Sequence, residues 1–316
     1  MPVIPTIDAC RVDISVIIVN WNTKELLMKC VSSVYRTLKK ICFEIVMVDN
    51  GSGDGSVDAV QNQYPDVRVI ANERNLGFAA ANNQALQRIL GRYALLLNTD
   101  AELTEGAVDS LYDFMERHSD AGMACGQLLN PDGSKQNSIA NLPSLMTLIS
   151  NETVLRVLFP GRFPSKLREY LDPIEVESCI GACILVRKEA VDDVGLLDER
   201  FFFFFEETDW SLRMRNAGWK IYFIPGARII HGQGESAEKR TDARILFYRS
   251  RYAYFRKWHR RSFFAMGAIL FIRLLVNTAL TVIGVGLTCA LHKKLRHQLW
   301  TYIKLIVWHA KGCPAL

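Results

Sequence analysis

Residues 14–22 read ISVIIVNWN, a β-branched run that breaks off on Asn20, Trp21 and Asn22. The leading residues, Ile14–Val19, predict a short strand, and the pattern recurs downstream. A helical pattern follows, from Thr23 in the capping position to Leu38. Phe43–Val48 is a second apolar run, and it ends in DNGSGDGS over residues 49–56. Next come a short helix, a strand over residues 67–71, and a helix over residues 78–90. Tyr93–Leu97 is apolar almost without a break, as expected of a strand buried on both faces, and it stops at Asn98, Thr99 and Asp100. Strands alternating with helices of this length predict βαβ units on a mostly parallel sheet, an α/β fold. Ligands of such sheets bind beyond the carboxyl ends of the strands, and here every strand end is polar.

The pattern continues with a helix over residues 105–117 and a strand over residues 123–128. Residues 142–173 hold two proline-bearing stretches around a possible helix, and residues 178–186 read as a further strand. Five phenylalanines, Phe201 to Phe205, precede Glu206, Glu207 and Asp209, and the helix they open runs to Ala217 before Gly218. Two strand-like runs, 219–224 and 227–230, then lead to His231.

At 316 residues, 49% hydrophobic and 22% charged, the chain is long and apolar enough for a substantial globular core. A net charge of +5 is too mild to indicate a nucleic-acid partner. None of the eight cysteines forms a C-x-x-C pair, a pattern expected of reduced core thiols. Residues Met1 to Cys10 show no secretory signal, so the chemistry is expected to face the cytoplasm.

Each strand end admits a functional and a structural reading. Asn98, Thr99 and Asp100, with Glu102 nearby, offer oxygens to a hard cation such as Mg²⁺ or Mn²⁺, although Asp100 could equally cap a following helix. Asp49, Asn50, Gly51 and Ser52 form either a turn or the anion-favouring start of a helix. Glu206, Glu207 and Asp209 either favour the positive end of a helix dipole or include a general base. His231 is a core imidazole or a nitrogen ligand to the same metal.

Taken in order, these segments resemble glycosyltransferase family 2 enzymes of GT-A fold, especially the bacterial rhamnosyltransferase branch. The likeness rests on Ser15–Asn22, Val48–Ser56, Asn75–Asn83, Leu96–Asp100, Gly181–Ala182, Phe202–Arg213 and His231–Ser236, and covers residues 13–240. It implies that Asp49, with the backbone near Asn20 and Asn22, recognises a pyrimidine base, and that Asn50, Asn75 and Gly77 lie along the nucleotide. It places Asn98, Thr99 and Asp100 at the family's Asp-x-Asp metal motif, with Asp100 the main ligand and His231 a further one. It puts Glu207 at the catalytic base, with Glu206 and Asp209 as alternatives. Two departures stand out: Asn98 replaces the first acid of the metal motif, and Glu207 replaces an aspartate.

The reaction so implied is inverting and metal-dependent, with a nucleotide-diphosphate sugar (dTDP-rhamnose first) as donor and a saccharide, often lipid-linked, as acceptor. Residues 142–173 would be an acceptor-side insertion. The alternative is an inactive transferase-like scaffold of a polysaccharide assembly complex. A nucleotidyltransferase would carry a Gly-rich, basic signature where Asn20–Asn22 stand, and a dehydrogenase would carry G-x-G-x-x-G. Residues 241–316 form a separate helical region. Within it, residues 262–291 hold one charge, Arg273, between basic and aromatic flanks, as expected of helices at an anionic membrane surface, with insertion into the membrane or an oligomer or core helix contact as the alternatives. A catalytic domain over 1–240 would thus work at the cytoplasmic membrane face, its oligomeric state open.

Overall fold

The computed structural model describes residues 11–150, 152–159, 163–164, 168–232, 240–288 and 291–312. The chain forms two compact units, Met1–Leu142 with Gly161–Glu238, and Pro143–Pro160 with Lys239–Leu316. The second unit therefore takes in part of the insertion as well as the C-terminal region.

The first unit opens as the hydrophobic pattern predicts, with β1 (Ile14–Asn20), α1 (Lys24–Thr37), β2 (Phe43–Asp49), α2 (Ser56–Gln63), β3 (Arg68–Ala71), α3 (Phe78–Leu86) and β4 (Tyr93–Asn98). There follow β5 (Ala101–Leu103), α4 (Ala107–Arg117), β6 (Ala121–Leu129) and β7 (Ile139–Ala140). The second unit interposes α5 (Leu145–Ile149) and α6 (Glu152–Leu158). The first unit then resumes with β8 (Ile174–Glu175), β9 (Ser178–Cys179), β10 (Cys183–Arg187), α7 (Lys188–Val194), α8 (Glu206–Asn216) and β11 (Lys220–His231). Helices α9 (Arg240–Trp258), α10 (Phe263–Leu287) and α11 (Lys293–Ala310) complete the second unit.

Among the described residues the main sheet runs β3-β2-β1-β4-β10-β6-β11-β5, with β8 on β11. Strands β3, β2, β1 and β4 are parallel, as is the β6–β11 pair, whereas β10, β5 and β8 run antiparallel to their neighbours. The sheet is thus mixed, helices flanking a parallel heart.

Alternation along β1 shows why both faces are covered. Ile14, Val16 and Ile18 pack with Leu27, Val31 and Val34 of α1 and Leu111 and Phe114 of α4. Ile17 turns to the other face, joining Ala79 and Ala81 of α3, Ala190 of α7 and Trp210 and Met214 of α8. Cys30, Cys125, Cys179 and Cys183 are buried thiols of these cores, outside any disulfide. Cys10, Cys289 and Cys313 lie outside the described residues.

Three local readings change. The single strand read over 178–186 is two, β9 pairing with β7 while β10 enters the main sheet. The two runs before His231 are one strand, β11, whose register shifts between Ile224 and Arg228, around Pro225 and Gly226. Asp100 leads into strand β5, so it caps no following helix. In the second unit, Leu274 of α10 packs with Tyr302, Leu305 and Trp308 of α11 and Ile245 of α9.

Candidate active site

Parallel pairing sets Asn20 directly across from Asp49 and Val19 across from Asn98, so the polar ends of β1, β2 and β4 share one edge of the sheet. Asn20 is fully buried; its amide donates to Asp49 Oδ1 at 2.7 Å and to Ser52 Oγ at 3.0 Å, and its Oδ1 accepts from Thr23 at 2.8 Å. The Thr23 hydroxyl also lies 3.0 Å from that of Thr99, tying the first strand end to the fourth. Its hydroxyl thus serves the site and makes no cap to α1. Asn22 sits at φ 52°, a conformation asparagine tolerates, where its N–H donates to Ser52 and its Oδ1 accepts from Gly53.

The next loop is built on Asn50. Its amide donates to Asn75 Oδ1 and to the Gly77 carbonyl, both at 3.2 Å, and Asn75 Oδ1 also accepts from Gly77 N–H at 2.9 Å. Gly77 has φ +91°, and a Cβ there would stand 2.7 Å from both the ring and the carbonyl oxygen of Phe202. Only glycine allows this approach, which the Phe78 N–H closes by donating to Phe202 O at 2.7 Å. Asn20, Asn22, Asp49, Asn50, Asn75 and Gly77 thus form one continuous polar strip.

At the far end, β11 pairs with β5 so that His231 stands opposite Ala101, the residue after Asp100. His231 Nε2 lies 3.4 Å from Asp100 Oδ1, with both side chains nearly enclosed. Gln136 fixes which ring nitrogen faces the acid. Its amide N–H groups donate to His231 O at 2.6 Å and Asn130 Oδ1 at 2.7 Å, so its Oε1 is left to accept from His231 Nδ1 at 2.9 Å. In neutral His231 the Nε2 lone pair therefore points toward a carboxylate oxygen, an arrangement that a cation between them relieves. Asn98 Oδ1 is a buried oxygen with no hydrogen-bond partner among the described residues. This donor set fits Mg²⁺ or Mn²⁺. Among the described residues no three His, Cys, Asp or Glu side chains converge, so further ligands would be substrate oxygens or water.

Replacing Gln136 with leucine is expected to leave the fold intact and raise the Mn²⁺ concentration for half-maximal binding about 10–100-fold, the usual range for a group that orients a ligating histidine. Titration of Mn²⁺ binding by water-proton relaxation checks this without turnover.

The three acids of α8 part company in the structure. Helix α8 is anchored by Trp210, wholly buried, whose Nε1 donates to Gly195 O at 2.8 Å. Asp209 is fully enclosed against Arg213 (Nε to Oδ2, 2.9 Å), and Arg213 also donates to the carbonyls of Val194 and Leu196 at 2.7 Å. Glu206 is buried, and its Oε2 has no hydrogen-bond partner among the described residues. Burial, then the charge of Glu207, holds the Glu206 carboxyl well above the usual carboxylate range. Burial raises Glu207 as well, against backbone amides and the Thr208 hydroxyl that favour its ionised form. Glu207 is only half-buried and faces Gly181, next to Ala182, whose carbonyl accepts from Asn98 N–H at 2.9 Å.

Just before the helix, Phe204 and Phe205 both take left-handed φ, 70° and 72°. Two adjacent side-chain-bearing residues in that region cost about 1–3 kcal/mol each, and here they turn the chain into the first turn of α8. Phe201 and Phe205 are core, while Phe202 is partly exposed beside Gly77. Sequence reasoning missed Gln136, Thr23 as a link and Phe202 against Gly77; all three act through partners remote in sequence.

The mixed sheet with its flanking helices has the fold of GT-A glycosyltransferases. A mannosyltransferase from Pyrobaculum calidifontis, solved with GDP-Man and Mn²⁺, superposes with a TM-score of 0.58 at 17% identity over 96% of this chain and 87% of that one. The glycosyl transferase family 2 profile matches residues 15–195, and the chain belongs to that family. An N-acetylglucosaminyl-diphospho-decaprenol L-rhamnosyltransferase of Mycobacterium tuberculosis is 31% identical over 208 residues, 61% of this chain and 67% of that protein. A dTDP-rhamnosyl transferase of Shigella flexneri is 24% identical over 230 residues, 72% of this chain and 71% of the other. The segment 233–236 of the family likeness lies outside the described residues.

Proposed function

We propose that this glycosyltransferase is inverting and metal-dependent, and that it moves rhamnose from dTDP-rhamnose to a lipid-linked saccharide in cell-envelope polysaccharide synthesis. The observation that carries the mechanism is the corner of Asp100, His231 and Asn98, which lies at the same sheet edge as the polar strip. The rhamnosyl donor and polyprenyl-linked acceptor are supported by the names of the two bacterial relatives, and a working place at a membrane by the apolar segment Arg260–Leu287.

Asp49 and the Asn20–Asn22 backbone hold the base, and Asn50, Asn75 and Gly77 line the nucleotide. A divalent cation held by Asp100 and His231 would supply Lewis-acid neutralisation of the diphosphate. Glu207 takes the proton of the acceptor hydroxyl as its oxygen bonds to the anomeric carbon and the bond to the diphosphate breaks on the opposite side. Burial and the charge of Glu207 favour the protonated form of Glu206, which leaves Glu207 as the acid to ionise. One base suffices, because no leaving-group acid is required of the protein, unlike a glycosidase with its two carboxyls. Asp209, held by Arg213, keeps α8 in place.

The test is nucleotide release across a panel of nucleotide sugars with Mg²⁺, Mn²⁺ or chelator, for the wild type and Asp100→Ala. Turnover from one donor, abolished by chelator and reduced about 10³-fold in the variant, is expected, since Lewis-acid stabilisation is worth several kcal/mol. Turnover indifferent to chelator would remove the metal from the mechanism. Failure to bind any nucleotide would favour the scaffold reading.

A further inference from the structure

Helix α10 is apolar on every side, yet only a stripe of it is packed. Met266, Leu270, Leu274 and Thr281 are buried, whereas Phe264, Ile272, Leu275, Leu280, Ile283 and Leu287 are exposed. The short helices α5 and α6 of the same unit expose Ile149, Val157 and Leu158 as well. An apolar surface this extensive marks an interaction site. Charge identifies its partner. From Ala243 to Leu316 there are 13 lysines and arginines and no aspartate or glutamate. Arg260 and Arg261 stand exposed before α10, and Lys293, Lys294 and Arg296 after it. Another soluble protein would not require this combination, whereas a bilayer with anionic headgroups matches both parts of it.

Length alone would let α10 cross the membrane: its 25 residues extend about 37 Å, against a hydrocarbon core of about 30 Å. What packs on its midpoint opposes that. Arg273, near the middle of the helix, donates through Nη1 to the carbonyl of Leu148 at 2.6 Å, in the last turn of α5. The chain leaves that helix at Ser150, in extended conformation. Leu274 packs on the part of α11 that carries Lys304, an exposed cation set over the ring of Trp300. Were α10 to span, a guanidinium, a helix end and an ammonium would all lie at the depth of the bilayer centre, where lipid-facing charge and non-helical backbone are costly.

We infer that the second unit docks in the plane of an anionic membrane, α10 lying along the interface with its exposed face in the acyl region, and that it does not cross. Arg273 acts as an internal clamp that joins α5 to α10 and lets both contribute to one apolar face. This deepens the membrane placement proposed above, and its test is independent of transfer.

The full chain is mixed with phosphatidylglycerol–phosphatidylcholine vesicles and floated. Bimane labels are placed on Ala268→Cys, Ile272→Cys, Ala279→Cys and Ile283→Cys, which share one exposed face of α10, after serine has replaced Cys10, Cys42, Cys289 and Cys313. Quenching by lipids brominated at different acyl depths is expected to place all four labels at one shallow depth. A profile that descends to the bilayer centre and rises again would overturn the inference in favour of a span. Binding should weaken about tenfold or more on pure phosphatidylcholine, and likewise for Leu280→Asp with Ile283→Asp on anionic vesicles, both losses being of lipid-facing terms. Vesicle binding unchanged in that double variant, or a chain that stays off vesicles and self-associates in their absence, would equally overturn it. Nucleotide release measured on the same samples separates a docking failure from a failed enzyme.

Discussion

Glu207→Gln is expected to lower kcat for sugar transfer by about 10²–10⁴, the span that general-base catalysis contributes. The change is nearly isosteric, so donor affinity should stay within about twofold, as for a group that acts only in the transition state. A base must be ionised to work. Because burial lifts the Glu207 carboxyl, the rate should rise with pH through a value higher than that of a solvent-exposed glutamate. Glu207→Asp shortens the reach by one methylene and should lose less activity while keeping that acid limb; the glutamine variant should lose the limb with the rate. If Glu206→Gln abolishes transfer and Glu207→Gln spares it, the roles are reversed.

Asp209→Ala should act on stability instead. It removes the acid from a pair in which Asp209 is fully enclosed and Arg213 is 17% exposed, leaving a guanidinium short of its countercharge. Breaking such a buried pair costs about 3–5 kcal/mol. At about 2–4 °C per kcal/mol for a domain of this size, Tm should fall on the order of 10 °C by calorimetry. Well below that temperature kcat should remain within about tenfold of wild type, since the acid lies against Arg213 and the loop after α7. An unchanged Tm with turnover as low as that of Glu207→Gln would put Asp209 in the mechanism after all.

These two residues mark the limit of what the sequence discloses. The carboxylates fall within one helical turn, and spacing alone assigns none of them a role. Two residues along a helix turn the side chain by about 200°, so Glu207 and Asp209 face opposite ways, but which way is inward depends on what packs there. Trp210 and Arg213 settle the matter by docking on the loop after α7. Strands β1, β2 and β4 were legible because a buried parallel strand must be apolar until it meets solvent, where these ones turn polar. Strand β5 has three residues and no pattern of its own; it exists because β11 is there to pair with it. Gln136 sits in a polar hairpin that predicts nothing, and it acquires meaning only beside His231. The interrupted β11 looked like two strands because proline and glycine normally end one, and here they make a shift of register instead.

The second unit draws its chain from two places, 143–160 and 239–316. It therefore has no single seam. Cutting the chain after residue 238 would strip the Leu148 carbonyl of its Arg273 donor and leave Ile149, Val157 and Leu158 without companions. The shortened protein would carry a sticky remnant, and a soluble version would need a polar loop in place of 143–160 as well. The same holds for grafting. One crossover cannot transplant this unit into a relative; three are required, at 142/143, 160/161 and 238/239, and a chimaera made with one would separate the clamp from the carbonyl it holds.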